Sequence, residues 1–105
     1  MNRLRTSVLL AAGAAALAAA PAEAGNKTVV LKGLDFSPST VTVKRGDTVT
    51  WVWRDGAIKH DVKGKGFKSS ALKAKGTHKV RFTRKGTFRY VCSVHGTMVG
   101  KVVVR

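Results

Sequence analysis

The densest group of reactive side chains lies in the run Tyr90-Val91-Cys92-Ser93-Val94-His95-Gly96-Thr97-Met98. Cys92, His95 and Met98 follow one another at intervals of three, where a strand-like pattern gives way to a loop. A thiolate, an imidazole and a thioether so spaced can converge on one point. His60, on an earlier loop, can supply a fourth ligand. One thiolate, two imidazoles and a weak thioether suit a copper ion that changes oxidation state by single electrons. Zinc favours more thiolates, or a carboxylate, over Met. Covalent haem attachment needs Cys-x-x-Cys-His, which a chain with 1 Cys cannot provide.

Each of these residues also has an ordinary structural reading. A lone Cys in a strand is often a small buried hydrophobe. A Met near a strand end usually packs in a core, and a loop His is usually just exposed. The joint spacing shifts the balance, because a free thiol is a liability in an oxidising compartment and coordination protects it. His78 shares the strand phase of Val80 and Phe82 and has no ligand spacing to the cluster, so it stays outside the site. Trp51 and Trp53 read as core or site-flanking packing rather than an electron relay.

The elements that must position the cluster are β-strands. Val29 to Leu31, Val41 to Val43, Thr48 to Trp53, His78 to Phe82, Thr87 to Cys92 and Gly100 to Arg105 carry alternating or short continuous apolar runs. Gly33, Phe36-Ser37-Pro38-Ser39, Arg45-Gly46-Asp47, Asp55-Gly56 and Lys85-Gly86 punctuate them as breaks and turns. Lys63 to Lys75 reads as a long surface connection with room for one helical turn, anchored by Phe67 and Leu72. Ser93 to Val99 reads as the short loop carrying the later ligands. Beyond residue 25 no stretch shows a sustained helical period. Six or seven short strands with turn signals between them predict an all-β sandwich or barrel.

The first 24 residues read differently. Met1 to Arg5 is a short basic start, Val8 to Ala20 is an apolar run, and Ala22-Glu23-Ala24 is a small-x-small cleavage site. That layout predicts a secretory signal peptide over 1–24 and a mature domain over 25–105. The apolar run falls short of the roughly 20 residues that span a bilayer, so no transmembrane segment is expected in the mature chain. The location expected is a periplasm or the cell exterior. A domain this small has a modest core, and with a single Cys no internal disulfide can staple it, whereas a bound metal can.

The chain holds 20 Lys and Arg against 5 acids, a net charge of +15. A field of this sign favours acidic partners or anionic surfaces. Export, the dispersion of the charges and the lack of a basic helix or stacking motif argue against nucleic acid. Lys59, Lys63 and Lys65 flank His60 and suit docking of an acidic partner, or simply solvate a loop.

The stretch from Gly86 to Val104 resembles the copper loop of the small blue-copper proteins, the cupredoxins, which include plastocyanin, amicyanin, halocyanin and pseudoazurin. Gly46-Asp47-Thr48-Val49-Thr50-Trp51 followed by His60-Asp61-Val62 fits the same family. Trp51-Val52-Trp53 and the segment around Phe67 and Ser69 are most similar to halocyanin, and the short gap between His95 and Met98 to amicyanin. The resemblance implies a Greek-key β-sandwich with one type 1 copper at one end, held by His60, Cys92, His95 and Met98. It implies a soluble, monomeric one-electron carrier between redox proteins, not an enzyme, with electrons leaving through His95. Asp61 stands where the family commonly has an Asn that ties the ligand loops together. Val94 and Gly96 stand where amicyanin-like loops carry prolines. Gly96 offers an N–H that Pro lacks, and a bond from it to the Cys92 sulfur would raise the reduction potential. The alternative function is an extracytoplasmic copper-binding or copper-delivery protein with no electron-transfer role. Such sites usually use several Met or paired Cys on flexible segments, which this chain lacks. A structural module with a basic face for anionic polymers is a third reading, disfavoured by the presence of all four ligand residues.

Overall fold

The computed structural model describes residues 25–105; the signal-peptide expectation over 1–24 lies outside the described residues. Eight strands form: β1 (Asn26–Lys32), β2 (Asp35–Ser37), β3 (Thr40–Val43), β4 (Asp47–Trp53), β5 (Lys63–Gly64), β6 (Thr77–Phe82), β7 (Gly86–Cys92) and β8 (His95–Val104). They make two four-stranded sheets, ordered β2-β1-β4-β6 and β3-β8-β7-β5. β1 runs parallel to β4 and β3 parallel to β8, while the remaining pairs are antiparallel. The described residues contain no helix, as the periodicity predicts.

Alternation decides which face of each strand is buried. Val49, Trp51 and Trp53 of β4 point into the space between the sheets, as do Phe88, Tyr90 and Cys92 of β7 and Met98, Val102 and Val104 of β8. Trp51 forms the centre, stacked on Phe67 at 5.6 Å and meeting Tyr90 edge-on at 5.3 Å. Such aromatic pairs add about 0.5–1.5 kcal/mol beyond area burial.

Two expectations are corrected here. The connection after His60 has no helical turn: it forms the short strand β5, and Ser69 and Ser70 hydroxyls accept from the N–H groups of Gly64 and Val62. Phe67 anchors it, but Leu72 is 47% exposed and anchors nothing. The ligand loop is also shorter than the pattern suggests. Cys92 pairs directly with His95, so only Ser93 and Val94 turn the chain, and Met98 already lies within β8.

Gly100 is Tyr90's partner across β7 and β8, and a Cβ there would lie 2.5 Å from the Tyr90 hydroxyl. Neither strand can retreat without disturbing the ligand hairpin at its end. Gly100→Ala is therefore expected to cost about 1–3 kcal/mol, the usual range for overpacking, read as a lower urea midpoint with an unchanged slope.

Candidate metal centre

His60 sits between β4 and β5, and three backbone contacts fix it. Its N–H donates to the Lys73 carbonyl at 2.9 Å, and its carbonyl accepts from the Lys73 N–H at 3.0 Å. That carbonyl also accepts from the Trp53 indole N–H at 2.9 Å. The Lys73 ammonium lies 4.6 Å over the same indole, a cation–π contact that holds Trp53 in place. The imidazole is fully buried.

Cys92 ends β7 and His95 opens β8, with an irregularity in register between Val91 and Cys92. His60 Nδ1 lies 3.1 Å from His95 Nδ1. The Cys92 sulfur lies 3.8 Å from the first nitrogen and 3.4 Å from the second. These separations suit donors that share one ion at about 2.0–2.3 Å. Among the described residues, His60, Cys92 and His95 are the group of His, Cys and acidic side chains that converges to metal-binding distance. Met98 is fully buried in the same core cluster as Cys92. Cys92 is 1% exposed, whereas His95 is half-buried and has the exposed Val94 beside it, so the cluster opens to solvent at His95.

Two carboxylates complete the arrangement. Asp55 Oδ2 lies 2.7 Å from His60 Nε2. The same carboxylate accepts from the N–H groups of Gly33 and Leu34, each at 3.0 Å. The hydrogen bond to His60, then those from Leu34 and Gly33, lower the Asp55 pKa from 3.8 to about 2. A carboxylate only accepts, so the His60 proton belongs on Nε2. Nδ1 is then left with its lone pair toward His95 and Cys92, the tautomer a metal requires. No sequence motif marks Asp55: it lies five residues before His60 in a turn, where an acid usually just meets solvent.

Asp61 ties the two ligand segments together. Its Oδ1 accepts from the Ser93 N–H at 2.7 Å and its Oδ2 from the Ser93 hydroxyl at 2.6 Å. The carboxylate thus fills the role expected of an Asn at this position. The expected bond from Gly96 to sulfur is not formed. Gly96 already belongs to β8, and among the described residues the sulfur's polar neighbours are the two imidazoles. His78 stays outside the cluster, in contact with the Lys68 carbonyl at 2.8 Å.

Residues 23–105 match the family described as copper binding proteins, plastocyanin/azurin family. Amicyanin-alpha of Methylorubrum extorquens is 36% identical over 106 residues, covering 94% of this chain and 87% of that protein. The chloroplastic plastocyanin of Tetradesmus obliquus is 33% identical over 117 residues, covering 93% and 81%. The oxidized structure of an amicyanin mutant with alanine in place of a proline superposes with a TM-score of 0.70 at 33% identity, covering 77% of this chain and 83% of that one. A thiolate and two imidazoles converging at the end of a two-sheet sandwich, with a buried Met in the same core, agree with that kinship: the chain belongs to the plastocyanin/azurin family of blue-copper cupredoxins, whose cofactor is a single copper ion.

Proposed function

We propose that this chain is a soluble one-electron carrier whose copper is held by His60 Nδ1, Cys92 Sγ and His95 Nδ1, with Met98 as the weak fourth ligand. The observation that carries the reading is the mutual approach of those two nitrogens and the sulfur, with the His60 proton committed to Asp55. Bound there, copper supplies a reversible change between two oxidation states. The protein's own residues orient the donors and exclude water. His60 and Cys92 are sealed in the core, while the half-buried His95 forms the edge that meets solvent. Four protein donors satisfy the ion without a substrate, which supports a carrier rather than an enzyme.

Residues 1–24 are a cleavable signal peptide, and 25–105 are the working domain, a monomeric Greek-key sandwich outside the cytoplasm. Among the described residues no helix is long and apolar enough to cross a membrane. The excess of cations favours redox partners with acidic docking surfaces.

Copper(II) added to the purified mature protein is expected to give an intense blue colour and a reversible redox wave. Cys92→Ser should abolish the colour while circular dichroism shows the sandwich retained. A colourless complex with no redox wave would overturn the carrier reading and favour copper binding or delivery.

A further inference from the structure

The two ends of the sandwich carry their charges differently. Among the described residues, Asp35, Asp55 and Asp61 lie at the copper end. Asp35 pairs with Lys32 beside the turn that Asp55 captures, and Asp61 holds the loop after Cys92. The opposite end lies at the start of β7, about 20 Å from Cys92 at the usual rise per residue. Two turns meet there. Gly46, between β3 and β4, donates its N–H to the Phe82 carbonyl at 2.6 Å, and Arg81 Nε donates to the Gly46 carbonyl at 3.1 Å. These bonds dock the turn of Lys44, Arg45 and Gly46 against the hairpin of Thr83, Arg84 and Lys85.

Lys44, Arg45, Arg81, Arg84 and Lys85 are all exposed. Asp47 is the acid of these segments, and its Oδ2 accepts from the Lys44 N–H at 2.8 Å. The ion-pair contact found among the described residues is His60 with Asp55, so no carboxylate closes on any of the five cations. A shallow groove of about 180 Å³ beside the hairpin is lined by Phe67, Phe82 and Phe88, with Lys68, Arg81 and Arg84 around them. Arg84 lies 5.4 Å over the Phe88 ring and donates to the Gly66 carbonyl at 3.3 Å, which holds its guanidinium at the groove. A guanidinium matches phosphate oxygens through parallel N–H bonds.

A specific protein interface surrounds an apolar centre with a polar rim. This end offers no such centre. The exposed large apolar side chains among the described residues are Leu34, Ile58, Leu72, Val91, Val94 and Val99, and none belongs to either turn. Clustered cations without a dry centre fit a plane of phosphates better than a folded partner. An exported chain meets such a plane at the surface of a bilayer that contains anionic phospholipid.

We propose that the end of the sandwich opposite the copper binds an anionic phospholipid surface through its phosphate headgroups. The inference rests on the exported-carrier reading and adds a contact remote from the metal. It holds the carrier on a membrane with the copper end turned outward, so that the His95 edge stays free for redox partners.

The metal-free mature protein is sedimented with vesicles of phosphatidylglycerol and phosphatidylcholine in equal parts, and with phosphatidylcholine alone. The salt is about 0.1 M, where a Debye length of about 10 Å screens the distant copper end. Binding is expected to the anionic vesicles only, and it should weaken as salt rises. Lys44→Gln/Arg45→Gln/Lys85→Gln should lower the partition by about tenfold or more, because each cation near such a surface multiplies it several-fold. Lys32→Gln/Arg54→Gln/Lys59→Gln removes the same charge from exposed positions at the copper end and should lower it far less. In bicelles of the anionic composition, a gadolinium-chelating lipid should broaden the wild-type amide resonances of Arg45, Arg84 and Lys85 and spare Val94 and His95. No binding to the anionic vesicles, equal losses in the two triple variants, or broadening first at Val94 and His95 would overturn the proposal. A wild type that binds heparin but not the vesicles would overturn it in favour of a polyanionic polymer. A missing blue colour would defeat the carrier reading alone, because every membrane readout uses the metal-free protein.

Discussion

Asp61→Ala is expected to lower the stability of the metal-free protein by about 2–3 kcal/mol, measured as a drop in urea midpoint. Asp61 is 8% exposed and accepts both the N–H and the hydroxyl of Ser93. Hydrogen bonds to charged groups contribute about 1.5–3 kcal/mol each. The two share one carboxylate and Ser93 is exposed, so water recovers part of the loss and the pair sums to less than twice that value. Asp61→Asn should behave differently. The amide oxygen still accepts from the Ser93 N–H, and the amide N–H₂ can donate to the Ser93 hydroxyl, which reverses its role. Most of the stability should therefore return. The copper-loaded Asn variant should also show a higher reduction potential, because a nearby negative charge favours copper(II) over copper(I) and Asn removes it. Separate stability and potential readouts divide the structural role of this side chain from its charge.

That division was only half legible in the sequence. The family resemblance marks the position after His60 as one where an Asn commonly ties the loops and makes Asp61 a departure from it; the bonds to Ser93 show that the carboxylate makes the same tie. The three-residue intervals of Cys92, His95 and Met98 were legible because a local pattern carries that information, as was the alternation of Val49, Trp51 and Trp53. What escaped depends on pairing between distant segments. The register that sets Cys92 against His95 shortened the loop to Ser93 and Val94 and carried Gly96 into β8. The same register set Arg89 against Lys101, a repulsion invisible while the two residues were twelve positions apart on a line. Leu72 looked like an anchor because it is apolar. The bridge between His60 and Lys73 fixes that part of the loop through backbone bonds, so no buried side chain is needed there.

Asp55 escaped for a further reason, and it carries the second large effect. It joins three things: the His60 ring, the turn between β1 and β2, and the proton that decides which imidazole nitrogen can bind copper. Gly33 and Leu34 both have positive φ, 62° and 61°, as expected of a type I′ hairpin turn. A left-handed conformation at Leu34 brings its Cβ too close to the following carbonyl, and the Asp55 carboxylate offsets that strain by capturing both turn N–H groups. Asp55→Ala removes that capture and releases the His60 ring, so Nε2 no longer holds the proton by default. Copper affinity is expected to fall about 10–100-fold, the range for losing a carboxylate behind a metal-bound His, as read by competition with a chelator of known affinity. Acid offers an independent check on the metal-free protein. The folded carboxyl titrates near 2 rather than 3.8, so the folded state binds fewer protons than the unfolded state between those values. The contribution of Asp55 is therefore complete above about pH 4 and disappears as pH falls toward 2. Gly33 and Leu34 donate to different oxygens of Asp55, so Asp55→Asn keeps an acceptor for one of the two turn N–H groups and has no proton to gain. Its stability should consequently fall less steeply than the wild type's across that interval, even though it starts lower at neutral pH.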